Sequence, residues 1–383
     1  MRIYYFSIIY PAMQALLLVE STFLFYFFCR KRGEKNQFYA KCWKILNKWR
    51  GAWYNSDGAN MKTIIGKEEY IEEAARLLRD GQLVAFPTET VYGLGADALN
   101  PEAVSSIYVA KGRPSDNPLI VHLADYAQLH EVAVDVPPLA KVLYDRFCPG
   151  PLTLILPKHP SIPSVVSAGL ATVGVRFPSH PMARTLLQKC GPIAAPSANA
   201  SKHVSPTTAA HVYDDLQGRI PLILDGGSCE VGIESTILDL TQEIPTILRP
   251  GAITKEMLAE ICLVATHSGE VKVALAPGMK YIHYSPRCDS VMCPPSKIPA
   301  IWKESKEKGL AAVVIAREQT LQAVGACESI SLGKEDGEVM RNLYSALRSA
   351  ERKYDLIILE ELPEEGLLYS VMNRAKKSVQ HHE

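Results

Sequence analysis

The chain has 383 residues, which exceeds the usual size of one domain and predicts two or three folded units. Hydrophobic residues make up 47% of the sequence and charged residues 21%, as in an ordinary globular protein. Because 41 Lys and Arg balance 41 Asp and Glu, no overall field attracts nucleic acid or an anionic membrane, and any basic site must be local.

The first 60 residues differ from the rest, since residues 3–32 form an apolar, aromatic run that ends in Cys-Arg-Lys-Arg. A run of about 20 apolar residues can span a bilayer, and the basic flank would then be cytoplasmic. Pro11 and Glu20 weigh against such a membrane anchor. A signal peptide is disfavoured because its basic end should precede the apolar core. The third interpretation is an extension, or an overlong start, ahead of a soluble domain that begins at Met61.

Residues 61–265 alternate short apolar segments with helical periods, which is typical of a layered α/β domain. The first helix starts near Lys67 and ends at Asp80-Gly81, where glycine suits a C-terminal cap. Further helices are predicted at 101–111, 138–147, 181–190, 207–215 and 254–261. Strands are predicted from 83 and at 119–123, 153–157, 173–178, 192–197, 222–227, 235–240 and 246–251. Their spacing is irregular, so we expect a twisted mixed sheet.

The sequence changes character at 266–290, which we interpret as a linker because it is rich in turns and aromatic residues. Beyond it, strands at 309–316 and 355–362 flank a helix at 338–353, and an amphipathic helix follows at 367–378. This pattern predicts a smaller α/β domain. The predicted organisation is an N-terminal extension, a larger domain, a linker and a small domain, at 1–60, 61–265, 266–290 and 291–383.

Nine cysteines are scattered through the chain, and Cys288 and Cys293 are the nearest pair. No second pair or histidine follows at metal spacing, which disfavours a structural zinc site. Thiols in this pattern favour a reducing cytosol, so we expect a cytoplasmic protein, with a membrane tether through residues 1–30 as the alternative.

Polar side chains gather where the predicted strands end, and open α/β sheets bind ligands in the crevice outside those ends. In PTETVYGLG (87–95), hydroxyl groups precede glycines that let the backbone approach a ligand, although a plain turn explains them equally well. In KGRPSDNPLIVH (111–122), Lys111 and Arg113 suit phosphate groups. His122 alone, inside an apolar strand, fits a core residue better than a ligand contact.

Three later stretches add further polar groups. Arg176 lies in an apolar strand, where an unpaired cation is costly, so it needs either a structural carboxylate or an anionic ligand. PIAAPSANASKHVSP (192–206) offers hydroxyl and amide groups for phosphate oxygens, and Arg249 ends a strand. The sequence has no Walker-type loop, dinucleotide fingerprint or nucleophile–base motif. The inventory therefore favours phosphoryl or nucleotidyl transfer, which depends on positioning and charge stabilisation.

Several motifs in order resemble the signature of the threonylcarbamoyl-adenylate synthases. They are PTETVYGLG, KGRPSDNPLIVH, TVGVRFPSHP, APSAN, and ESTILDL followed by LRPG. The linker APGMKYIHYSP and the domain after it resemble the two-domain form of that family, so the resemblance covers residues 61–383. It implies a YrdC-like catalytic domain, a twisted mixed α/β sheet with a concave basic cavity, followed by a smaller Rossmann-like α/β domain.

The resemblance also implies the reaction. A nucleotidyltransferase of this family joins L-threonine, bicarbonate or CO2, and ATP, releases pyrophosphate and forms L-threonylcarbamoyl-AMP. A partner threonylcarbamoyl-transferase complex then modifies the adenosine next to the tRNA anticodon, and weak contact with tRNA is a further expectation. Mg²⁺ would accompany ATP, and no side chain is assigned to a metal. The alternatives are an RNA-binding module of the same fold without catalysis, and a carbamoyl-transferring enzyme whose zinc-finger-like cysteine clusters this sequence lacks.

The resemblance assigns the polar residues to two substrates. The L-threonine group comprises Thr90, His122, Arg176, Ala195 and Ser235. The ATP group comprises Lys111, Arg113, Asn117, Thr172, Ser197, Ser205 and Arg249. The lid over the cavity would contain Tyr281, His283 and Tyr284. Whether Glu89 or a water accepts the proton of the threonine amine is left open.

Overall fold

The computed structural model describes residues 61–267, 277, 284–325 and 327–382, so the predictions for residues 1–60, Tyr281 and His283 lie outside the described residues. The helices are Ile71–Arg79 (α1), Pro101–Lys111 (α2), Leu129–Val132 (α3), Pro138–Phe147 (α4), Pro181–Cys190 (α5), Ala209–Leu216 (α6), Lys255–Ala259 (α7), Ile298–Glu307 (α8), Glu318–Val324 (α9), Asp336–Ala350 (α10) and Gly366–Ser378 (α11). Every helix in the described ranges is too short or too polar to cross a bilayer.

The strands form two separate sheets. The first contains Ile64–Gly66 (β1), Val84–Phe86 (β2), Gly93–Asp97 (β3), Ile120–His122 (β4), Leu152–Pro157 (β5), Thr172–Arg176 (β6), Ile193–Ala195 (β7), Leu222–Leu224 (β8), Thr236–Asp239 (β9), Thr246–Arg249 (β10) and Ala265–Thr266 (β11). The second contains Asp289–Cys293 (β12), Ala312–Ala316 (β13), Ser329–Ser331 (β14), Leu356–Glu360 (β15) and His381–His382 (β16).

The first sheet is mixed, as the irregular spacing predicted. Its strand order is β1-β8-β2-β3-β7-β4-β6-β5-β9-β10-β11. Strand β4 runs parallel to β6 and antiparallel to β7, and the β4–β6 register pairs His122 with Arg176. Side chains alternate between the two faces of a strand, so Val121 and Val175 enter the main core while His122 and Arg176 point to the opposite face.

Strand β3 was predicted as a loop, which is wrong. The prediction failed because two glycines give the segment a low strand propensity. The structure explains them by close packing against β7, since a Cβ atom on Gly95 would lie 2.8 Å from Cγ2 of Ile193. Strand β3 carries the preceding loop to the concave side of the sheet.

Three helices have the bounds that the sequence predicted, and each begins with a proline at its first position. They are α2, α4 and α5. Proline fits this position because the first amide of a helix needs no intrahelical partner. The side chain of Asn100 caps α2 by accepting from the amides of Glu102 and Ala103. Helix α2 ends at Gly112 with φ +63°, which directs the chain into the loop before β4.

The second sheet has the order β14-β13-β15-β12-β16 and all its pairs are parallel, which confirms the Rossmann-like prediction. Strand β12 begins at Asp289, inside the stretch that the sequence indicated as linker. Helices α8 and α9 were not predicted, because both are short and bury few side chains: Ile298 and Ser305 in α8, and Thr320 in α9. Helix α10 packs against α11 on the side that faces the first sheet's loops.

Candidate active site

A cleft is lined by residues at the ends of several strands of the first sheet. Its wall combines five Lys and Arg side chains with one carboxylate among the described residues. These charged residues are Lys111, Arg113, Arg176, Lys202, Arg249 and Glu234. The cleft is therefore a basic cavity, as predicted, and it suits an anionic ligand.

One side of the cleft is built around Arg176 and His122, which the β4–β6 register places side by side. Both side chains are buried, and the edge of the Phe86 ring lies against His122 with the ring centroids 5.8 Å apart. Burial and the neighbouring charge of Arg176 lower the pKa of His122 to about 3. His122 is therefore a neutral hydrogen-bonding group at physiological pH, not a second cation.

Arg176 pairs with a structural carboxylate, one of the two partners that the sequence allowed, and it also keeps one N–H donor for a ligand. Its Nη2 lies 2.7 Å from Oε1 of Glu89, whose other oxygen accepts a hydrogen bond from the Ser179 amide. The Nε of Arg176 is buried and has no hydrogen-bond partner among the described residues. A buried donor left in this state favours an anionic ligand, because an unmet hydrogen bond costs about 1–3 kcal/mol.

The loop after β2 and the loop before β9 supply hydroxyl groups on the same side. Thr88 lines the cleft, and its hydroxyl lies 2.9 Å from that of Thr90, which is fully buried behind it. Ser235 also lines the cleft and shares a 2.8 Å hydrogen bond with Thr153. Ala195, at the end of β7, completes this wall with a small side chain.

Another part of the cleft wall is built around Lys111, at the end of α2. Its Nζ donates to the carbonyl oxygens of Ser197 and Asn199, each at 2.5 Å. Burial, and next the charge of Arg113, lower the pKa of Lys111 well below its usual 10.5. The ammonium group thus ties α2 to the loop after β7 while lining the cleft beside Arg113 and the Ser197 side chain.

Arg249 and Tyr284 close the far end of the cleft. Arg249 donates through Nε and Nη2 to the Ser235 carbonyl and through Nη1 to the Pro277 carbonyl, 3.2 Å away. The predicted lid residue Tyr284 is buried and stacks on Tyr344, with the ring centroids 5.3 Å apart. The segment after the first sheet thus contributes Pro277 and Tyr284 to the cleft wall.

Four predicted residues do not line the cleft, and their ligand contacts stay predictions. Thr90 lies behind Thr88, and Ser205 is fully buried with its hydroxyl donated to Glu234. Asn117 is buried with no partner for its Oδ1 among the described residues. Thr172 begins β6, about 13 Å along the strand from Arg176.

Several residues of the wall were assigned to neither substrate from the sequence. They are Thr88, Asn199, Ser201, Lys202, His203 and Glu234. Thr88 and Asn199 lie in stretches whose polar groups the sequence already indicated as ligand candidates, so only their assignment to a substrate was missing. Glu234 begins the ESTILDL stretch, but the sequence did not indicate its partnerships, because Tyr344 and Arg374 lie more than 100 residues further along the chain.

His203 connects this wall to the second domain. Its Nδ1 lies 2.9 Å from Oδ1 of Asp215, and its Nε2 lies 2.9 Å from Oε1 of Glu351. Burial alone would lower the pKa of His203, but these two carboxylates outweigh it and raise the pKa above its usual 6.5. The charged imidazole therefore links the loop after β7 to the residue that follows α10.

Replacing His203 by glutamine should lower the free energy of unfolding by about 1.5–3 kcal/mol at pH 6, because hydrogen bonds to charged groups are lost. The pKa of His203 is raised on folding, so its contribution is fully present below pH ~6.5 and is lost as the pH rises through the folded value. Urea unfolding at pH 6 and pH 9 checks this, with exposed His130→Gln as control. A deficit equal at both pH values would contradict the charged state.

Two family models match the chain in succession. Residues 76–251 match the family described as telomere recombination, and residues 253–379 match the C-terminal domain of threonylcarbamoyl-AMP synthase. Threonylcarbamoyl-AMP synthase of Bacillus subtilis is 47% identical over 320 residues, covering 80% of this chain and 92% of that protein. The Pyrococcus abyssi synthase is 45% identical over 336 residues, covering 83% and 98%.

A solved structure matches the fold of both domains. The crystal structure of P. abyssi Sua5 complexed with L-threonine superposes with a TM-score of 0.78 at 42% identity, and covers 84% of this chain and 97% of that chain. The part of the chain that the structure describes holds no cluster of three His, Cys, Asp or Glu side chains fit for a metal ion.

Proposed function

The chain belongs to the threonylcarbamoyl-AMP synthase family of ATP-using nucleotidyltransferases, and we propose that its cleft binds L-threonine at Arg176 and ATP at Lys111. The product is L-threonylcarbamoyl-AMP, formed from L-threonine, bicarbonate or CO2, and ATP with release of pyrophosphate. The observation that carries the site proposal is one basic cleft with a buried unpartnered guanidinium donor on one side and a buried ammonium group on the other.

The threonine carboxylate would accept a hydrogen bond from Nε of Arg176, which has no partner among the described residues, while Nη2 holds Glu89. Hydrogen bonds between ionised groups of opposite charge are about twice as strong as those between neutral groups. Neutral His122 and the hydroxyl of Ser235 would then orient the amino acid, and Ala195 leaves room for its methyl group. The bound L-threonine in P. abyssi Sua5 supports an amino-acid site in this fold.

The ATP phosphates would lie against Lys111, Arg113 and Arg249, with the hydroxyl of Ser197 as a further donor. Mg²⁺ would travel with ATP, held by phosphate oxygens and water, because the wall's one described carboxylate, Glu234, is already bonded. Asn117, Thr172 and Ser205 stay predicted nucleotide residues, and Thr90 stays a predicted threonine residue.

The chemistry follows from positioning and charge stabilisation. The threonine amine adds to CO2 and loses a proton, which gives a carbamate. A carbamate oxygen attacks the α-phosphorus in line, and the bond from that phosphorus to the bridging oxygen of pyrophosphate breaks. The charge developing on pyrophosphate is stabilised by Lys111 and Arg113. No protein nucleophile is needed, which agrees with the absence of a nucleophile–base motif from the sequence.

The product would pass to a threonylcarbamoyl-transferase complex that acts on tRNA, with at most weak contact between this chain and tRNA. A cytoplasmic location is part of the proposal, because the seven described cysteines are all free thiols. The described part of the lid is Tyr284, which faces the cleft.

Pyrophosphate release by the purified protein tests the proposed function. We expect release only when L-threonine, bicarbonate and ATP are all present, because the carbamate must form before it attacks ATP. A coupled pyrophosphate assay with each substrate left out in turn measures this. Release that does not need both threonine and bicarbonate would overturn the reaction. Salt-sensitive RNA binding without ATP turnover would instead favour the RNA-binding alternative.

A further inference from the structure

Glu234 is the only carboxylate among the described residues that line the cleft. A buried carboxylate beside a site for ATP repels the phosphates unless another group compensates its charge. A cation inside the cleft that compensates this carboxylate is less available to the ligand, so compensation from outside the cleft favours an anion site. The partners of Glu234 therefore decide whether the cleft remains an anion site.

The carboxylate of Glu234 accepts three hydrogen bonds from side chains. Ser205 donates to Oε1 at 2.6 Å, while Tyr344 and the Nε of Arg374 donate to Oε2 at 2.9 and 3.0 Å. Tyr344 lies on α10 and Arg374 on α11, so two of the three donors come from the second domain. The pair is buried, with Arg374 0% and Glu234 6% exposed.

Because Glu234 is bonded to these three donors, Arg249 makes its hydrogen bonds to other acceptors. The hydrogen bonds that Arg249 makes go to Ser235 and to the Pro277 carbonyl, and not to Glu234. Burial alone would raise the pKa of Glu234, but the charges of Arg374 and Arg249 outweigh it and lower the pKa to about 2. If Arg374 were absent, Arg249 and Lys377 would be the nearby cations left to compensate this carboxylate.

We propose that Arg374 and Tyr344 of the second domain are positioning residues for ATP, which act by compensating the charge of Glu234 and leaving Arg249 available to the phosphates. This inference rests on the proposed function. It gives the second domain a defined role in the active site: α10 and α11 complete the electrostatics of a cleft whose ligand-facing groups belong to the first domain. Arg374 also contacts the backbone of Glu234, since its Nη2 lies 3.4 Å from the Glu234 carbonyl oxygen.

A charge-compensation cycle tests the proposal. Arg374→Met should weaken ATP binding about tenfold or more, the scale expected when one uncompensated charge faces phosphate groups in a partly desolvated cleft. L-Threonine affinity should change less than about threefold, since Arg176 is held separately by Glu89. Adding Glu234→Gln to Arg374→Met should restore ATP affinity to within about threefold of the wild type, because the double variant has no charge left to compensate.

Glu234→Gln also removes the unpaired buried charge that would destabilise Arg374→Met, so the rescue alone does not separate electrostatic positioning from a structural loss. L-Threonine affinity makes that separation, because a partly unfolded cleft would lose both ligands, whereas an uncompensated charge weakens ATP binding alone. Arg317→Met is the matched control, because Arg317 pairs with buried Glu360 inside the second domain, 3.2 Å away. This control should bind ATP as the wild type does. Should Arg374→Met fail to fold, Tyr344→Phe removes one donor to Glu234 and should raise the dissociation constant of ATP severalfold.

Isothermal titration of each variant with ATP, and separately with L-threonine, gives the readout. Wild-type protein that fails to bind ATP would overturn the proposed function itself. Wild-type protein that binds ATP, together with Arg374→Met and Tyr344→Phe variants that bind it equally well, would overturn this inference alone. Weak ATP binding by Arg374→Met that Glu234→Gln does not rescue would also overturn it, because the loss would then not arise from the carboxylate charge.

Discussion

Replacing Arg176 by alanine should weaken L-threonine binding about 30-fold or more, while ATP binding stays within a few-fold of the wild type. Truncating one partner of a buried, hydrogen-bonded charge pair costs about 2–5 kcal/mol, and the proposed pair here is Arg176 with the threonine carboxylate. In the proposed site ATP would contact Lys111 and Arg113 and not Arg176, so its affinity should not depend on Arg176.

Titration of the variant with L-threonine and with ATP checks this prediction. Arg184→Ala is the matched control, because Arg184 is an exposed arginine on α5, the helix that follows β6. Arg176→Lys sharpens the test, since lysine keeps the charge but cannot offer two parallel donors to a carboxylate. We expect an affinity between those of alanine and arginine. Unchanged threonine affinity in Arg176→Ala would disprove the assignment of the carboxylate site.

The alanine variant also leaves Glu89 as a buried carboxylate whose cationic partner is gone. Removing one partner of a buried ion pair typically costs about 3–5 kcal/mol of stability. Arg176→Ala/Glu89→Gln should therefore be more stable than Arg176→Ala, and threonine binding should still be lost. The double variant thus distinguishes a missing ligand contact from a partly unfolded cleft.

Much of the fold could be predicted from local sequence, because local signals set many of its elements. Helices α2, α4 and α5 begin at prolines and end where their apolar periods end, so their bounds follow from a few residues. The site motifs around Lys111 and Arg176 could also be predicted, since each places a cation next to or within an apolar strand. These are patterns that one segment carries by itself.

The partnerships across the sheet could not be predicted from one segment. Arg176 needed an anion, but only the fold shows that Glu89, 87 residues earlier in the chain, supplies one at Nη2 and leaves Nε without a partner among the described residues. Glu234 and Arg374 are 140 residues apart and belong to different domains. Such pairs form only through tertiary packing. Because both side chains are buried, removing either one leaves the charge of the other uncompensated.

The stretch KGRPSDNPLIVH contains both a feature that could be predicted from local sequence and one that could not. Its cations were predicted to serve phosphates, and the structure places Lys111 and Arg113 in the cleft wall. His122 fitted a buried strand histidine, and it is indeed buried, yet it lies in the cleft wall in register with Arg176. Its lowered pKa keeps it neutral, as the proposed contact with the amino acid requires. The stretch therefore spans both proposed substrate positions.

Replacing Lys111 by methionine should lower the rate of pyrophosphate release by about 10²–10³, the usual effect of removing one charge-stabilising donor. Methionine keeps much of the volume but removes the charge and both hydrogen bonds to the loop after β7. Single-turnover pyrophosphate release at saturating substrates measures the chemical step. Exposed Lys67→Met is the control and should react at the wild-type rate. A rate for Lys111→Met within threefold of the wild type would contradict the proposed role.

The pH dependence of the same step distinguishes the charge of Lys111 from its packing. Burial lowers the pKa of Lys111, so the rate that depends on the ammonium form should fall as the pH rises through that lowered pKa. Lys111→Arg should retain part of the activity and lose this alkaline limb, because arginine does not titrate in this range. Deprotonation of Lys111 does not lower the rate at alkaline pH by unfolding the protein. A group whose pKa is lowered on folding adds stability as the pH rises from its folded to its unfolded pKa, so Lys111 itself favours the folded state over the range in which activity should decline.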